Sequence, residues 1–368
     1  MEQSVEEFYK GKKVFLTGHT GFKGTWMSVM LEQLGAEVCG YSLPVDAGSF
    51  YQKVAPKVIK HVEGDIADSA RVLQTVESFR PEIVFHFASH SSLDGSMKIP
   101  DFILRTNLMG VVNVLEAVRK VDSVKAVVVV TSDKCYKNRE TDVPYKEDAP
   151  LDAEDPYSTS KVCQELLTKC YRETFFRDST RRVAIASARA SNVIGAGDYN
   201  ISRLMPYLLE SYSEGRIPQI RNPQSVRPWQ FVLDVLEGYL ILGEKLYLSL
   251  STKEYFDGPY NFGPDEDGFV TVEMVTGMVK KCFLLNEKEK NIMFNERQEK
   301  NLIINETKIL KLDSNKAYQK LEWKNRLKLL NAVSWIVDFV QREKLGELDK
   351  NLCREQIKKY LNLYNKIG

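Results

Sequence analysis

Neither sign of charge predominates in this chain: 51 lysines and arginines stand against 50 aspartates and glutamates, a formal net charge of +1. No chain-wide field therefore recruits nucleic acid or an anionic membrane, and positive charge at a ligand site has to be local. Long apolar runs are also absent, and Met1–Lys13 is polar and acid-rich, so neither a membrane span nor a secretory leader is expected. Histidines number only four. His86 and His90 fall on an expected strand and the loop after it, where their spacing does not put two ligands on one face, so no metal site is expected. The cysteines, at 39, 135, 163, 170, 282 and 353, lack metal-ligand or redox spacing and read as buried thiols of a reducing cytoplasm. No repeat or low-complexity tract is found. What remains is an ordinary globular composition of 368 residues, 43% hydrophobic, enough for one large or two closely joined domains.

What is present is, first, a glycine signature. Residues 17–24 read Thr-Gly-His-Thr-Gly-Phe-Lys-Gly, directly after the apolar Val14–Leu16 and before Trp26, Met30 and Leu34 at helical spacing. Gly18, Gly21 and Gly24 let the chain turn sharply, approach a pyrophosphate closely and pack a helix on its strand, while that helix's first amides receive the anion. Gly35 ends the helix, and Glu37–Tyr41 resumes as a strand. Further apolar runs at Val58–Val62, Ile83–Phe87, Ala126–Val130 and Val183–Ala188 alternate with helical patterns at Ser69–Phe79, Asp101–Lys120 and Tyr157–Phe176. This is the pattern of an α/β chain with a Rossmann-type, doubly wound parallel sheet.

After residue 190 the rhythm changes. Prolines stand at 206, 218, 223, 228, 259 and 264, and Asn286–Lys300 is charge-rich, as a solvated face or loop would be. Gln230–Leu248 reads as a helix and Tyr260–Gly263 as a strand end, both returning to the first domain. The expected division is a cofactor domain of residues 1–190 plus about 229–263, and a smaller mixed substrate domain of about 191–228 plus 264–368. Leu329, Leu330, Val333, Ile336, Val337 and Val340 make one apolar face of a closing helix.

Two segments carry chemistry. Tyr157 and Lys161 are four apart, one above the other on a helix face, where an ammonium favours the phenolate and lowers the tyrosine pKa. Thr131-Ser132-Asp133-Lys134-Cys135-Tyr136 ends the Ala126–Val130 strand, and ligands of open α/β sheets bind outside the carboxyl ends of strands. A hydroxyl, a carboxylate and an amine thus meet at the sheet's functional edge.

Taken in order, TGHTGFKGTW (17–26), TSDKCYKNRE (131–140), DPYSTSK (155–161), NVIGAGD (192–198), IRNPQSVRPWQFV (220–232) and YNFGP (260–264) resemble the extended short-chain dehydrogenases/reductases of nucleotide sugars. Within that group the chain is similar to the CDP-glucose 4,6-dehydratase family along nearly its whole length. The resemblance implies a lyase with tightly held NAD, converting CDP-D-glucose to CDP-4-keto-6-deoxy-D-glucose in deoxysugar biosynthesis, O-antigen sugars included. It implies that Tyr157, held by Lys161 and helped by Ser132, takes the C4 hydroxyl proton while hydride passes to NAD. Lys134 would then take the C5 proton and Asp133 would protonate the departing C6 hydroxyl before the hydride returns to C6. Related dehydratases carry a glutamate where this chain has Lys134, and a lysine acts as base only when its pKa is lowered, as desolvation can do.

The same resemblance assigns Gly18, His19, Gly21, Phe22, Gly24, Asp65, Ile66 and Ala88, with Tyr157 and Lys161, to the cofactor. For the substrate it points to Asn192, Arg203, Arg221 and Arg227, since forked guanidinium donors match phosphate oxygens. It also implies a homodimer joined through Asp101–Lys120 and Tyr157–Phe176. The chain departs from the pattern in Ala88–Ser96, with His90 where a glutamine is usual and no arginine near Asp94, so the nucleotide and hexose stay open. Ser191 and Phe231 also replace usual residues. The second strand ends Tyr41-Ser42-Leu43 without a ribose-binding acid, Asp46 being the nearest, and without an arginine for a 2′-phosphate. A different 4,6-dehydratase substrate, a nucleotide-sugar 4-epimerase, or a cofactor-binding regulator without turnover are the competing readings.

Overall fold

The computed structural model describes residues 5–58, 60–91, 93–177, 181–252, 254–286 and 308–363. Its strands, in chain order, are β1 (Lys13–Thr17), β2 (Glu37–Ser42), β3 (Lys60–Glu63), β4 (Ile83–His86), β5 (Ala126–Val130), β6 (Ala184–Ala190), β7 (Asn192–Ile194), β8 (Val226–Phe231), β9 (Gly258–Phe262) and β10 (Phe269–Thr271). Seven of them form one sheet in the order β3-β2-β1-β4-β5-β6-β9, with every pairing parallel. The chain winds outward from β1 to β3 and then crosses back to β4. The strand order therefore reverses between β1 and β4, and a crevice opens outside the strand ends at that point.

Burial on both faces explains the β-branched runs. Along β5, Ala126, Val128 and Val130 enter one core while Val127 and Val129 enter the other. The second core is closed by helices Ser69–Phe79 and Pro100–Lys120. The first is closed by Phe22–Gln33, Val232–Leu248, Leu329–Lys344 and Lys350–Leu361, and it continues through Met205, Leu208, Trp229 and Trp323 beyond residue 190. A small second sheet, β10-β8-β7, lies in that later region.

Most expected elements are in place, with four differences. Gln230 and Phe231 end β8, which pairs with both β7 and β10, so the helix begins only at Val232. The Tyr157 helix runs Pro156–Tyr171 and then widens into a π-helical turn, Arg172–Phe176, with Arg177 N–H bonded to Arg172 O. The third strand is Lys60–Glu63 rather than Val58–Val62, and β6 extends to Ala190. Of the charge-rich stretch, residues 287–300 lie outside the described residues. All six cysteines are free, and two differ from the expected burial: Cys163 is half-buried and Cys170 is exposed. Among the described residues no helix is long and apolar enough to cross a membrane.

Candidate active site

The glycine loop is built as its spacing demands. Gly18 has φ +71°, and a Cβ there would lie 2.8 Å from Ala88 N; at Gly24 it would lie 2.1 Å from Gly18 O. Gly21, exposed, begins helix Phe22–Gln33 as its N-cap and would meet only Gly18 O, at 3.4 Å. The loop's outer side is therefore open beside a helix terminus whose first amides have no intrahelical acceptor, which fits a dinucleotide pyrophosphate. Thr17 Oγ1 accepts from Phe87 N and Ala88 N, both at 3.1 Å, and so ties the loop after β4 to the end of β1. Asp65 Oδ1 accepts from Ala67 N at 2.9 Å, and the carbonyl of buried Ile66 accepts from Asn113 Nδ2 at 2.9 Å. The His19 ring is buried against Gly40, with Nε2 2.7 Å from His61 Nδ1, and burial, then His61, hold it neutral with a pKa of about 4.

Next to this loop lies a cavity of about 1160 Å³. Its wall brings together Phe22, Ser132, Asp133, Lys134, Tyr157, Asn192, Arg203, Arg221 and Arg227, residues far apart along the chain. Lys161, the glycines, His19, Asp65, Ile66 and Ala88 are not on this wall.

Asp155 Oδ1 caps the helix by accepting from Ser158 N at 2.8 Å, and Pro156 follows at the first position, so Tyr157 sits in a rigid first turn. Lys161 lies behind it, 5.8 Å from the Tyr157 ring centre, and donates to Ser89 Oγ at 2.7 Å and Gln164 Oε1 at 2.9 Å. Burial, and then the charge of Lys23, bring the Lys161 pKa down to about 7. Tyr157 differs from expectation: burial raises its phenol to about 12, against the opposing effects of the Ser132 hydroxyl and the Arg203 charge. Desolvation outweighs the Arg203 charge, and a Lys161 that titrates near neutrality is a weak counter-charge.

Ser132 Oγ donates to Asp133 Oδ1 at 2.9 Å, and the Ser132 hydroxyl acts to lower the Tyr157 pKa. Asp133 is 3% exposed, and its Oδ2 has no hydrogen-bond partner among the described residues. Burial pushes its pKa up, although Lys134, Ser132 and Arg227 act to lower it. Lys134 is half-buried on the same wall.

The substrate-side arginines separate. Arg203 donates to Asp198 Oδ2 at 2.8 Å and to Ser91 Oγ at 2.6 Å on the cavity wall, and its charge acts on Tyr157, Lys23 and His90. Arg227, buried in β8, donates to Val226 O at 3.0 Å and acts on Asp133.

Several residues of this site escaped the sequence reading. Asn107 Nδ2 donates to Ser160 Oγ at 2.8 Å and His90 O at 3.1 Å, and its Oδ1 accepts from His90 N at 2.7 Å, clamping the loop after β4 to the catalytic helix. A polar residue on an otherwise apolar helix face was the available signal. Lys23, inside the glycine motif, reaches the cavity, and burial, then Arg203, bring it to about 8. Deeper, Glu165 accepts from Thr131 Oγ1, Ser187 Oγ at 2.8 Å and Arg189 Nη2 at 2.7 Å, while Arg189 also donates to Tyr136 OH at 2.7 Å.

Residues 14–255 match the family described as the NAD dependent epimerase/dehydratase family. The chain belongs to this family. Within it, the chain is 38% identical over 363 residues, covering 97% of itself and 98% of its relative, to CDP-glucose 4,6-dehydratase of Salmonella typhimurium. It is 28% identical over 187 residues to dTDP-glucose 4,6-dehydratase of Xanthomonas campestris, covering 48% of this chain and 51% of that one. Among solved structures, UDP-glucose 4-epimerase of Thermotoga maritima superposes with a TM-score of 0.73 at 20% identity, covering 90% of this chain and 99% of the other. dTDP-glucose 4,6-dehydratase of Bacillus anthracis, in complex with NAD, gives 0.71 at 19% identity, covering 93% and 100%. The family's fold is thus reproduced along almost the whole chain.

Proposed function

We propose that this protein is a lyase that dehydrates a nucleotide hexose, CDP-D-glucose, to CDP-4-keto-6-deoxy-D-glucose. NAD, which the glycine loop Gly18, Gly21 and Gly24 would hold, would supply the hydride acceptor for C4 and the hydride for C6. Tyr157 takes the C4 hydroxyl proton, Lys134 takes the C5 proton that the new ketone acidifies, and Asp133 protonates the C6 hydroxyl so that it leaves as water. Lys161 anchors the helix start to Ser89, while Arg221, Arg227 and Asn192 serve the diphosphate end. Arg203 serves the hexose side, since its charge acts on both Tyr157 and Lys23.

One observation carries this reading: an acid and an amine, Asp133 and Lys134, stand on the same wall as Tyr157. A 4-epimerase needs the tyrosine but neither of the other two. Incubation with a panel of nucleotide hexoses tests it, since a 4-keto-6-deoxy product absorbs strongly in alkali and an epimer does not. The panel also decides the nucleotide and sugar that the unusual loop after β4 leaves open.

The described division of labour, a cofactor domain and a substrate domain in a cytoplasmic enzyme of deoxysugar supply, belongs to the same proposal. So does a homodimer: helices Pro100–Lys120 and Pro156–Tyr171 pack together and leave Phe102, Met109 and Leu166 exposed, with Phe175 just beyond. Sedimentation of Leu166→Glu as a monomer, beside a dimeric wild type, is the expected outcome.

A further inference from the structure

Behind Tyr157 stands an ammonium with no carboxylate to hold it. Lys161 is 3% exposed and makes no ion pair among the described residues; its partners there are two neutral oxygens, Ser89 Oγ at 2.7 Å and Gln164 Oε1 at 2.9 Å. The titratable groups packed around it give little help. From helix Phe22–Gln33, Lys23 opposes its charge. At the end of β4, burial and then Lys161 itself hold His86 neutral, with a pKa of about 3. Cys135, after β5, and Glu165, on the same helix, act in favour of the charge. Burial pushes the Cys135 thiol well up, however, and Glu165 is already taken by Arg189, Thr131 and Ser187. The Tyr157 phenol is raised too, and helix Pro100–Lys120 presents the uncharged Asn107. Burial without an ion pair favours the neutral amine, so the state of Lys161 near neutrality depends on the two oxygens.

Gln164 is the better placed of the two. It lies three residues beyond Lys161, on the same helix face, and is fully buried. An ammonium offers only donors, so it faces the amide oxygen; the amide nitrogen is turned the other way and donates to Asn107 O at 3.0 Å. Both ends of the amide are committed, and the oxygen cannot swing away without unpairing a buried N–H. Ser89, by contrast, is half-buried on the loop after β4, and its hydroxyl turns about a single bond. We propose that Gln164 is a positioning residue of the reaction: its oxygen, aimed by Asn107, fixes the Lys161 ammonium behind Tyr157 and keeps it charged, so that the phenolate has a counter-charge when it takes the C4 hydroxyl proton. Gln164 acts only through Lys161. A hydrogen bond to a charged group is worth about one to two pH units of proton affinity. That is enough to decide the outcome, because burial and Lys23 leave Lys161 at about 7 even with both oxygens in place. The role given to Tyr157 rests on the dehydratase reading; the charge on Lys161 does not.

Melting of cofactor-free protein tests this anchor without any assay of turnover. With Gln164 intact, the gain in Tm of Lys161→Met holds steady up to about pH 7 and shrinks above it, because there the folded lysine gives up the proton that the unfolded chain keeps. Gln164→Met keeps length and apolar volume but removes the oxygen, so in that background the shrinkage should begin about one to two pH units lower. An unmoved onset overturns the proposal. Single-turnover reduction of the cofactor by a nucleotide hexose, on the holoenzyme, gives a second readout. At pH 7 Gln164→Met should be about tenfold slower than wild type, and the deficit should close as the pH is lowered and the lysine regains its proton. Gln164→Glu, which sets a carboxylate beside the ammonium, should act in the opposite sense and gain on the wild type as the pH rises above 7. A rate ratio that is the same at every pH makes Gln164 a packing residue and overturns the proposal. Should Gln164→Met not fold, Gln164→Glu decides by that same criterion. A wild type that forms no 4-keto-6-deoxy product overturns the dehydratase reading while the melting comparison still judges Gln164, so the two failures are told apart.

Discussion

Two polar clusters share the helix Pro156–Tyr171, both buried and only two turns apart, yet they are finished differently. At the deeper one, Glu165 takes three donors, and although burial pulls its pKa up, Arg189, Thr131 and Ser187 bring it below the ordinary carboxylate range. Arg189 is shifted the opposite way, held protonated by the same pair. At the outer one, Asp133 keeps an oxygen with no hydrogen-bond partner among the described residues, its acidity is weakened, and Tyr157 and Lys161 are displaced from their usual values in opposite senses. Burial alone does not distinguish structure from chemistry; completeness of the hydrogen bonding does.

The largest effect expected from this contrast is on the outer cluster. Lys134→Met keeps length and apolar volume but removes the proposed base, so solvent deuterium should enter C5 slower by about 10²–10⁴, with cofactor binding retained. Deuterium exchange at the wild-type rate would make Lys134 a binding cation. The deeper cluster should respond in stability instead. Glu165→Ala leaves the Arg189 guanidinium buried without its carboxylate and should lower unfolding free energy by about 3–5 kcal/mol in a denaturant titration. Asp133→Asn should cost little or even stabilise, while dehydration stops. Equal destabilisation by the two variants breaks the comparison.

A smaller effect is a slope in pH. In the folded protein Lys161 loses its proton near pH 7, whereas the unfolded chain keeps it to the ordinary 10.5. Between those values the unfolded state binds more protons, so this lysine makes stability rise with pH, by at most about 1.4 kcal/mol per unit. Its penalty is fully present below pH 7. In cofactor-free protein, the gain in Tm of Lys161→Met over wild type should therefore shrink from pH 7 towards 10; a constant difference would show that the lysine is not held neutral. Least of all, Thr131→Val removes one of Glu165's three donors and should cost about 1 kcal/mol of stability.

What could be read from the sequence was whatever depends on neighbours along the chain. The glycine loop, the β-branched strands, the acid-and-amine turn after β5 and the Tyr157–Lys161 spacing are all local patterns, and the doubly wound sheet follows from their alternation. Gln230 and Phe231 were misread because their apolar neighbours continue into a helix, while pairing with Val193 and Ile194 of β7, residues far off in sequence, decides their conformation. Asn107, Glu165 and Arg189 escaped for the same reason: their partners lie on other elements. Tyr157 was read in the wrong direction because spacing shows an ammonium four residues away but not the desolvation around the phenol.

The cap that starts the catalytic helix has an electrical consequence. Asp155 and Pro156 fix Tyr157 in the first turn of Pro156–Tyr171, at the end where aligned peptide dipoles leave about half a positive charge. Helical side chains lean back towards that end. A phenolate formed there is therefore favoured by the backbone itself, by about 0.3–1 kcal/mol, and this contribution cannot be removed by titrating or mutating any side chain.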